Sequence, residues 1–296
     1  AVAGLAGLMF AVEDAHSLNM GWIANRNASI CMVFGVGSLW LHQRWREEGR
    51  WQLAIGSGTC FTLSLLSAEA GIGTLAYLIA WQLVMDRGSW GARLKALIPY
   101  LMLVVSWRML YQSMGYGVQW SDVYIDPGRQ PLRFLTAMCE RLPLLLSSQW
   151  LQLPIDGTNF LEPLGRLLAA LAAGMVCIVL LRWLRPVLRE SPLARFWFVG
   201  MVLSIVPICA SFPMDRVLTF TGIGAFALLA MQVEPWLAGA RALTSSERLL
   251  LILHIPCAAL ALATRPFLWF GLTNTYISAD TLPTDVQEDQ ILILLQ

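Results

Sequence analysis

Long apolar runs, too many for the core of a water-soluble domain, constrain this chain more than any other feature. They cover Met20–Leu41, Gln52–Ser67, Gly71–Met85, Ala96–Met114, Leu167–Leu184, Phe196–Met214, Val217–Val233 and Leu249–Leu272. About 20 helical residues cross the ~30 Å hydrocarbon core of a bilayer, and most of these runs are near that length. Charged residues make up only 13% of the chain against 57% hydrophobic ones; an average soluble domain carries about 25% charge. A net charge of +1 and a lone lysine, Lys95, leave no basic block that could neutralise nucleic-acid phosphates. The reading is an all-α, polytopic helical transmembrane bundle with membrane lipid as its surroundings.

The chain opens on Ala1 and runs at once into the apolar stretch Ala1–Val12. Twelve helical residues rise only about 18 Å, so this reads as the second half of a span that begins upstream, and no basic segment or small-residue cleavage site marks a secretory leader. With it, nine crossings are expected. A single helix over 52–85 would rise about 51 Å, so a helical hairpin turning at Glu69 is expected instead.

Arginine sets the orientation. One set of short loops holds Arg44, Arg46, Arg50, Arg87, Arg93, Lys95, Arg182, Arg185, Arg189, Arg195, Arg241 and Arg248. The alternate loops and the tail hold Glu13, Asp14, Glu69, Asp122, Asp126, Asp156, Glu162, Asp215, Asp280, Asp285, Glu288 and Asp289, and the separation is imperfect, since Arg129, Arg133, Arg141 and Arg166 fall in the long segment on that side. By the positive-inside rule the basic loops are cytoplasmic, which puts the acidic loops and the tail on the periplasmic side of a bacterial inner membrane. Residues 132–151 carry Glu140, Arg141 and Pro143 at their middle, so an interfacial amphipathic helix followed by a half-inserted stretch is expected there. The membrane domain is read as 1–273. Residues 274–296 are polar and end on Ile291-Leu292-Ile293-Leu294-Leu295, which reads as a strand opening a further soluble domain. Six scattered cysteines without a CxxC pair read as small core hydrophobes.

Chemistry collects at the acidic face. Glu13, Asp14 and His16 lie where the first span leaves the membrane, and Asn25, Arg26 and Asn27 fall within the start of the next helix. Such groups at a membrane face line a cavity or pair with one another. They could accept a proton from a hydroxyl, clamp a phosphate, or, through Asp14 and His16, hold a divalent metal ion as cofactor; a solvated turn with a snorkelling arginine is the plainer alternative. Glu69 stands alone at a hairpin tip among the small residues Ser67, Ala68, Ala70 and Gly71. Tyr124 and Asp126 sit in a Gly/Tyr/Asp/Pro loop, and Arg216 lies in the turn Phe212-Pro213-Met214-Asp215-Arg216, where it could hold a phosphate or close a loop ion pair. Arg108 and Arg265 are counter-charges or snorkelling residues within spans. No nucleotide-binding glycine loop and no GxSxG elbow is present.

Two stretches together resemble a known family. Phe10-Ala-Val-Glu-Asp-Ala-His16 with Gly21-Trp-Ile-Ala-Asn-Arg26, followed after a span and a basic loop by Leu65-Leu-Ser-Ala-Glu69-Ala-Gly71, looks like the multi-span glycosyltransferases of the GT-C superfamily. The nearest pattern is that of the transmembrane O-mannosyltransferases that carry tetratricopeptide repeats, and of their bacterial relatives. Asp215-Arg216-Val217-Leu218 with Gly224 is similar to a further motif there. Glu13-Asp14 stand where the family has His-Pro, Leu18 where it has Glu, Ala68 where it has Lys, and Thr221-Gly222 where it has Pro-Ser. The resemblance implies transfer of a sugar from a polyprenyl-phosphate donor to an acceptor at the far side, with Asp14, Glu13 or Glu69 as the carboxylate and Arg26 or Arg216 on the departing phosphate. A transporter or flippase of a lipid-linked saccharide, or a membrane scaffold without catalysis, uses the same polar groups differently.

Overall fold

The computed structural model describes residues 1–13, 15, 19, 23–116, 124–265 and 267, and among them it is all helix and turn. The helices are α1 (Val2–Val12), α2 (Asn27–Glu48), α3 (Trp51–Ser67), α4 (Ile72–Ala80), α5 (Trp90–Ser113), α6 (Pro131–Leu151), α7 (Pro163–Glu190), α8 (Pro192–Ile208), α9 (Thr219–Gln232), the short α10 (Glu234–Leu237) and α11 (Ser245–Ile252). α4 continues through a π-turn at Trp81–Met85, and α11 through another at Leu253–Cys257 into a helix that reaches Arg265.

Among the described residues three helices are long and apolar enough to cross a membrane: Trp90–Ser113, Pro163–Glu190 and Ser245–Arg265. The other expected spans are helical but shorter or more charged. α2 runs seven residues past the apolar stretch that ends at Leu41, because Arg44 pairs with Glu48 one turn on and Arg46 reaches Asp86. It stops where Gly49 takes φ 72° and returns its N–H to the Trp45 carbonyl. Its start corrects the sequence reading: Asn25 belongs to a 3₁₀ turn, Ile23–Asn25, Arg26 is the capping position, and only Asn27 is helical.

The hairpin at Glu69 forms as expected. α3 ends at Ser67, Ala68 is extended, and Glu69–Gly71 make one 3₁₀ turn before α4. A side chain on Gly71 would come within 2.6 Å of the Ser64 carbonyl oxygen, so the turn closes only on glycine. Residues 131–151 form one helix rather than an interfacial helix plus a separate stretch. Pro143 is accommodated within it, Arg141 donates to the Cys209 and Ser211 carbonyls beyond α8, and residues from Leu144 to Trp150 are buried against α7, α8 and α9. The tail beyond 267, which reads as a strand, lies outside the described residues.

In lipid, apolar side chains gain little by leaving one apolar medium for another, so close backbone approach and interhelical hydrogen bonds hold helices together. α4, α8 and α9 show both. The Tyr77 ring enters a slot where a Cβ on Gly200 would be 2.2 Å away, and its hydroxyl donates to the Phe220 carbonyl at 2.6 Å while accepting the Gly224 N–H at 3.0 Å. This joint fixes the start of α9 beside the Glu69 hairpin.

The basic loops meet at one end of the bundle, where Arg46 lies 2.6 Å from Asp86 and Arg93 donates to the carbonyls of Gly88 and Gln82. The acidic loops meet at the other: the Ile125 N–H bonds the Ala210 carbonyl at 2.7 Å, and Arg108 pairs with Asp126 at 2.5 Å.

Candidate functional site

A cavity of about 850 Å³ opens among the acidic-end tips of α2, α3, α5, α8 and α9. It gathers five of the sequence-selected residues from separate segments: Asn25, Asn27, Glu69, Tyr124 and Arg216. Each is placed by its own local structure. The hairpin turn presents an exposed Glu69. The 3₁₀ turn Asp215–Val217 presents Arg216, and the α2 start presents Asn27, whose side-chain oxygen accepts the Ala28 N–H.

The amides form a chain. Asn25 donates to Asn19, and Asn19 donates to the Arg216 carbonyl at 3.0 Å and to the Thr219 hydroxyl at 2.9 Å. Asn19 is 2% exposed, so the segment before α2 is tied to the α8–α9 turn through a buried amide. Across the cavity the Tyr111 hydroxyl donates to the Glu69 carboxylate, which orients that carboxylate and places an aromatic ring beside it. Trp107, Tyr116 and Phe220 complete the aromatic lining. The lining includes exposed apolar residues, Leu66, Leu110 and Met114.

The structure does not bring every selected residue here. Glu13 is buried outside the cavity, at the foot of α1. Its Oε2 lies 3.3 Å from His254 Nδ1 and accepts from Gln152 Nε2 at 3.2 Å, while His254 Nε2 lies 3.1 Å from the Trp150 carbonyl. Gln152 Nε2 also lies 3.3 Å from His254 Nδ1. Glu13 thus helps satisfy the buried C-terminal end of α6, where the chain reverses through Gln152 at φ 52°. Asp126 is engaged by Arg108 and by the Gly128 N–H, so it shapes the loop that carries Tyr124. Arg26 is exposed and does not line the cavity. Asp14 and His16 lie outside the described residues. Among the described residues no three His, Cys, Asp or Glu side chains converge as a metal site would require.

Beside the cavity the Asp156 carboxyl faces Asp215, which also pairs with Arg265 at 3.0 Å. Burial, and then the negative charge of Asp215, push the Asp156 carboxyl above the usual carboxylate range. Arg265 is thereby a counter-charge, as one of its two sequence readings has it.

Sequence reasoning missed Asn19, Tyr111 and Trp107. Asn19 has no local signal, since its partners lie about 200 positions away. Tyr111 and Trp107 sit inside an apolar run and read as ordinary span residues until the fold sets Tyr111 against Glu69 and Trp107 in the same cavity. Comparison with known protein families, with curated proteins and with solved structures finds no match for this chain.

Proposed function

We propose that the chain is a membrane glycosyltransferase of the GT-C kind, similar to the transmembrane O-mannosyltransferases, that moves a sugar from a polyprenyl-phosphate donor to an acceptor at the periplasmic face of a bacterial inner membrane. In this reading the helices cross the membrane nine times. The observation that carries the proposal is the convergence of Glu69, Asn25, Asn27, Tyr124 and Arg216 on one cavity at the acidic end, whose lining includes exposed apolar residues that a lipid chain would meet.

The parts have separate tasks. The Glu69 carboxylate, held by the Tyr111 hydroxyl, takes the proton of an acceptor hydroxyl as its oxygen attacks the anomeric carbon. The bond from that carbon to the phosphate oxygen breaks, and the polyprenyl phosphate leaves with the electron pair. Arg216 faces the cavity from the α8–α9 turn, where a guanidinium suits the departing phosphate. The asparagine amides bind sugar hydroxyls.

The test uses the whole chain in lipid nanodiscs with a radiolabelled polyprenyl-phosphate hexose. The expected result is release of polyprenyl phosphate with label passing to an acceptor, and loss of that release in Glu69→Gln. Movement of the intact lipid-linked sugar across the bilayer without cleavage would replace this reading with a flippase. Failure of the lipid-linked sugar to bind would overturn both.

A further inference from the structure

The cavity's aromatic wall has an order that a lone monosaccharide does not call for. Trp107 and Tyr111 stand one turn apart on the same face of α5, with ring centroids 5.3 Å apart and planes tilted by 42°. α5 then closes in a reversing turn: Gly115 takes φ 75°, its N–H bonds the Gln112 carbonyl, and the Tyr116 N–H bonds the Tyr111 carbonyl, both at 3.1 Å. The reversal lays the Tyr116 ring 5.6 Å from that of Tyr111 with a tilt of 40°. Three rings therefore stand in file along one wall.

Two plainer explanations account for only part of this. An apolar contact across such a turn is ordinary, and leucine would supply it. Aromatic belts place single rings at the headgroup level around a protein; these three all line the cavity that holds Glu69 and Arg216. Tyr116 is 57% exposed and Tyr124 is 46% exposed, both at the mouth.

A sugar ring has an apolar C–H face and a rim of hydroxyls. It therefore fits a site that offers aromatic rings together with planar amides and a carboxylate, and Tyr111, Tyr116, Asn25, Asn27 and Glu69 line one cavity. The Tyr111 hydroxyl bonds Glu69, so the file passes the base at its midpoint, with Trp107 on the membrane side and Tyr116 on the outer side. We propose that the acceptor is itself a saccharide, its terminal ring stacked on Tyr116 with a hydroxyl at Glu69, and that Trp107 receives the sugar of the donor. This proposal rests on the glycosyl-transfer reading and names the acceptor of that same site.

The experiment measures binding of mannobiose, cellobiose and maltotriose, of a Ser/Thr-rich peptide, and of polyprenyl phosphate to the whole chain in nanodiscs by saturation-transfer NMR and calorimetry. At least one saccharide is expected to bind. Tyr116→Leu, which keeps the apolar contact of the turn, is expected to weaken it about tenfold, the scale of one stacked ring, with an unchanged melting temperature, and Tyr116→Trp to restore it. Peptide binding without saccharide binding would overturn the saccharide acceptor and leave the transfer reading standing, as would saccharide binding that ignores Tyr116→Leu. Saccharide binding together with polyprenyl phosphate that fails to bind would support the subsite and overturn the transfer reading. Binding of none of the probes would overturn both.

Discussion

The two ends of the bundle handle their polar groups in opposite ways. At the basic end buried polar groups pair with one another: His42 bonds the Tyr100 hydroxyl at 2.9 Å and Gln82 at 2.7 Å, Tyr100 bonds Ser57 at 2.7 Å, and Ser57 bonds the Ser38 carbonyl at 2.7 Å, with Gln82 Oε1 left unbonded. Four helices are joined there with almost no surface left to a ligand. At the acidic end the same kinds of side chain are held at the rim of a cavity, with Glu69 and Asn27 exposed. Polar groups that satisfy one another make a joint, whereas polar groups held apart by a rigid frame make a site.

Substitutions at the two ends should therefore have different consequences. Glu69→Gln is expected to leave the melting temperature unchanged and to lower transfer about 10²–10⁴-fold, the loss typical of a removed general base; a fall in stability with intact transfer would make Glu69 a structural residue. His42→Ala should do the reverse. It leaves the Gln82 amide buried without its partner, which costs about 1–3 kcal/mol, while the Tyr100 hydroxyl keeps Ser57, and denaturation in mild detergent would report the loss. Tyr77→Phe lies between the ends. It removes the hydroxyl that links α4 to the Phe220 carbonyl and the Gly224 N–H, an i, i+4 pair of α9 that can then bond each other, so an expected loss of about 0.5–1.5 kcal/mol comes with a looser α4–α9 joint, and both stability and transfer should fall.

The smallest expected effects are those of pH, and they have opposite signs. Burial alone would raise the Asp86 carboxyl, but hydrogen bonds from Arg46 and the Gly88 N–H, with the charges of Arg46 and Arg93, outweigh it and hold the group below the ordinary aspartate range. Its contribution is present above the unfolded-state value and is lost as pH falls through the lower folded one. Asp156 is raised, so its contribution is present below the ordinary aspartate value and is lost as pH rises through the folded one. Hydrogen exchange corrected for intrinsic rates should show the 86–93 loop loosening on acidification and the 155–160 turn loosening on alkalinisation, with Asp156→Asn abolishing the second effect. Identical trends at both ends would contradict the assignment.

Much of the frame was legible because it rests on local rules. The hairpin at Glu69 followed from a length that no single span could accommodate, and its glycine and small residues stand where the turn closes. Loop alternation set Arg46 and Arg93 apart from Asp126 and Asp215, but the separation is incomplete, since Asp86 stands beside Arg46 and Arg108 beside Asp126. The site was legible in part. Isolated polar residues at apolar boundaries pointed to Glu69, Asn25, Asn27, Tyr124 and Arg216, which share the cavity. The same signal pointed equally to Glu13, which the fold directs to His254 and the end of α6. Nothing near Glu13 in sequence marks that partner 241 positions away.

The sequence by itself determined that this chain is helical and apolar, where its helices turn, and which end gathers acid. These properties depend on neighbours within a few turns and on the solvent each residue tolerates. Only the tertiary structure decided which polar residues share a cavity. It set Tyr111 against Glu69, 42 positions away, closed Asn19 onto the α8–α9 turn, and drew Glu13 into the interior. Those choices depend on how helices cross, and a periodic apolar pattern says which face of a helix is covered but not by what.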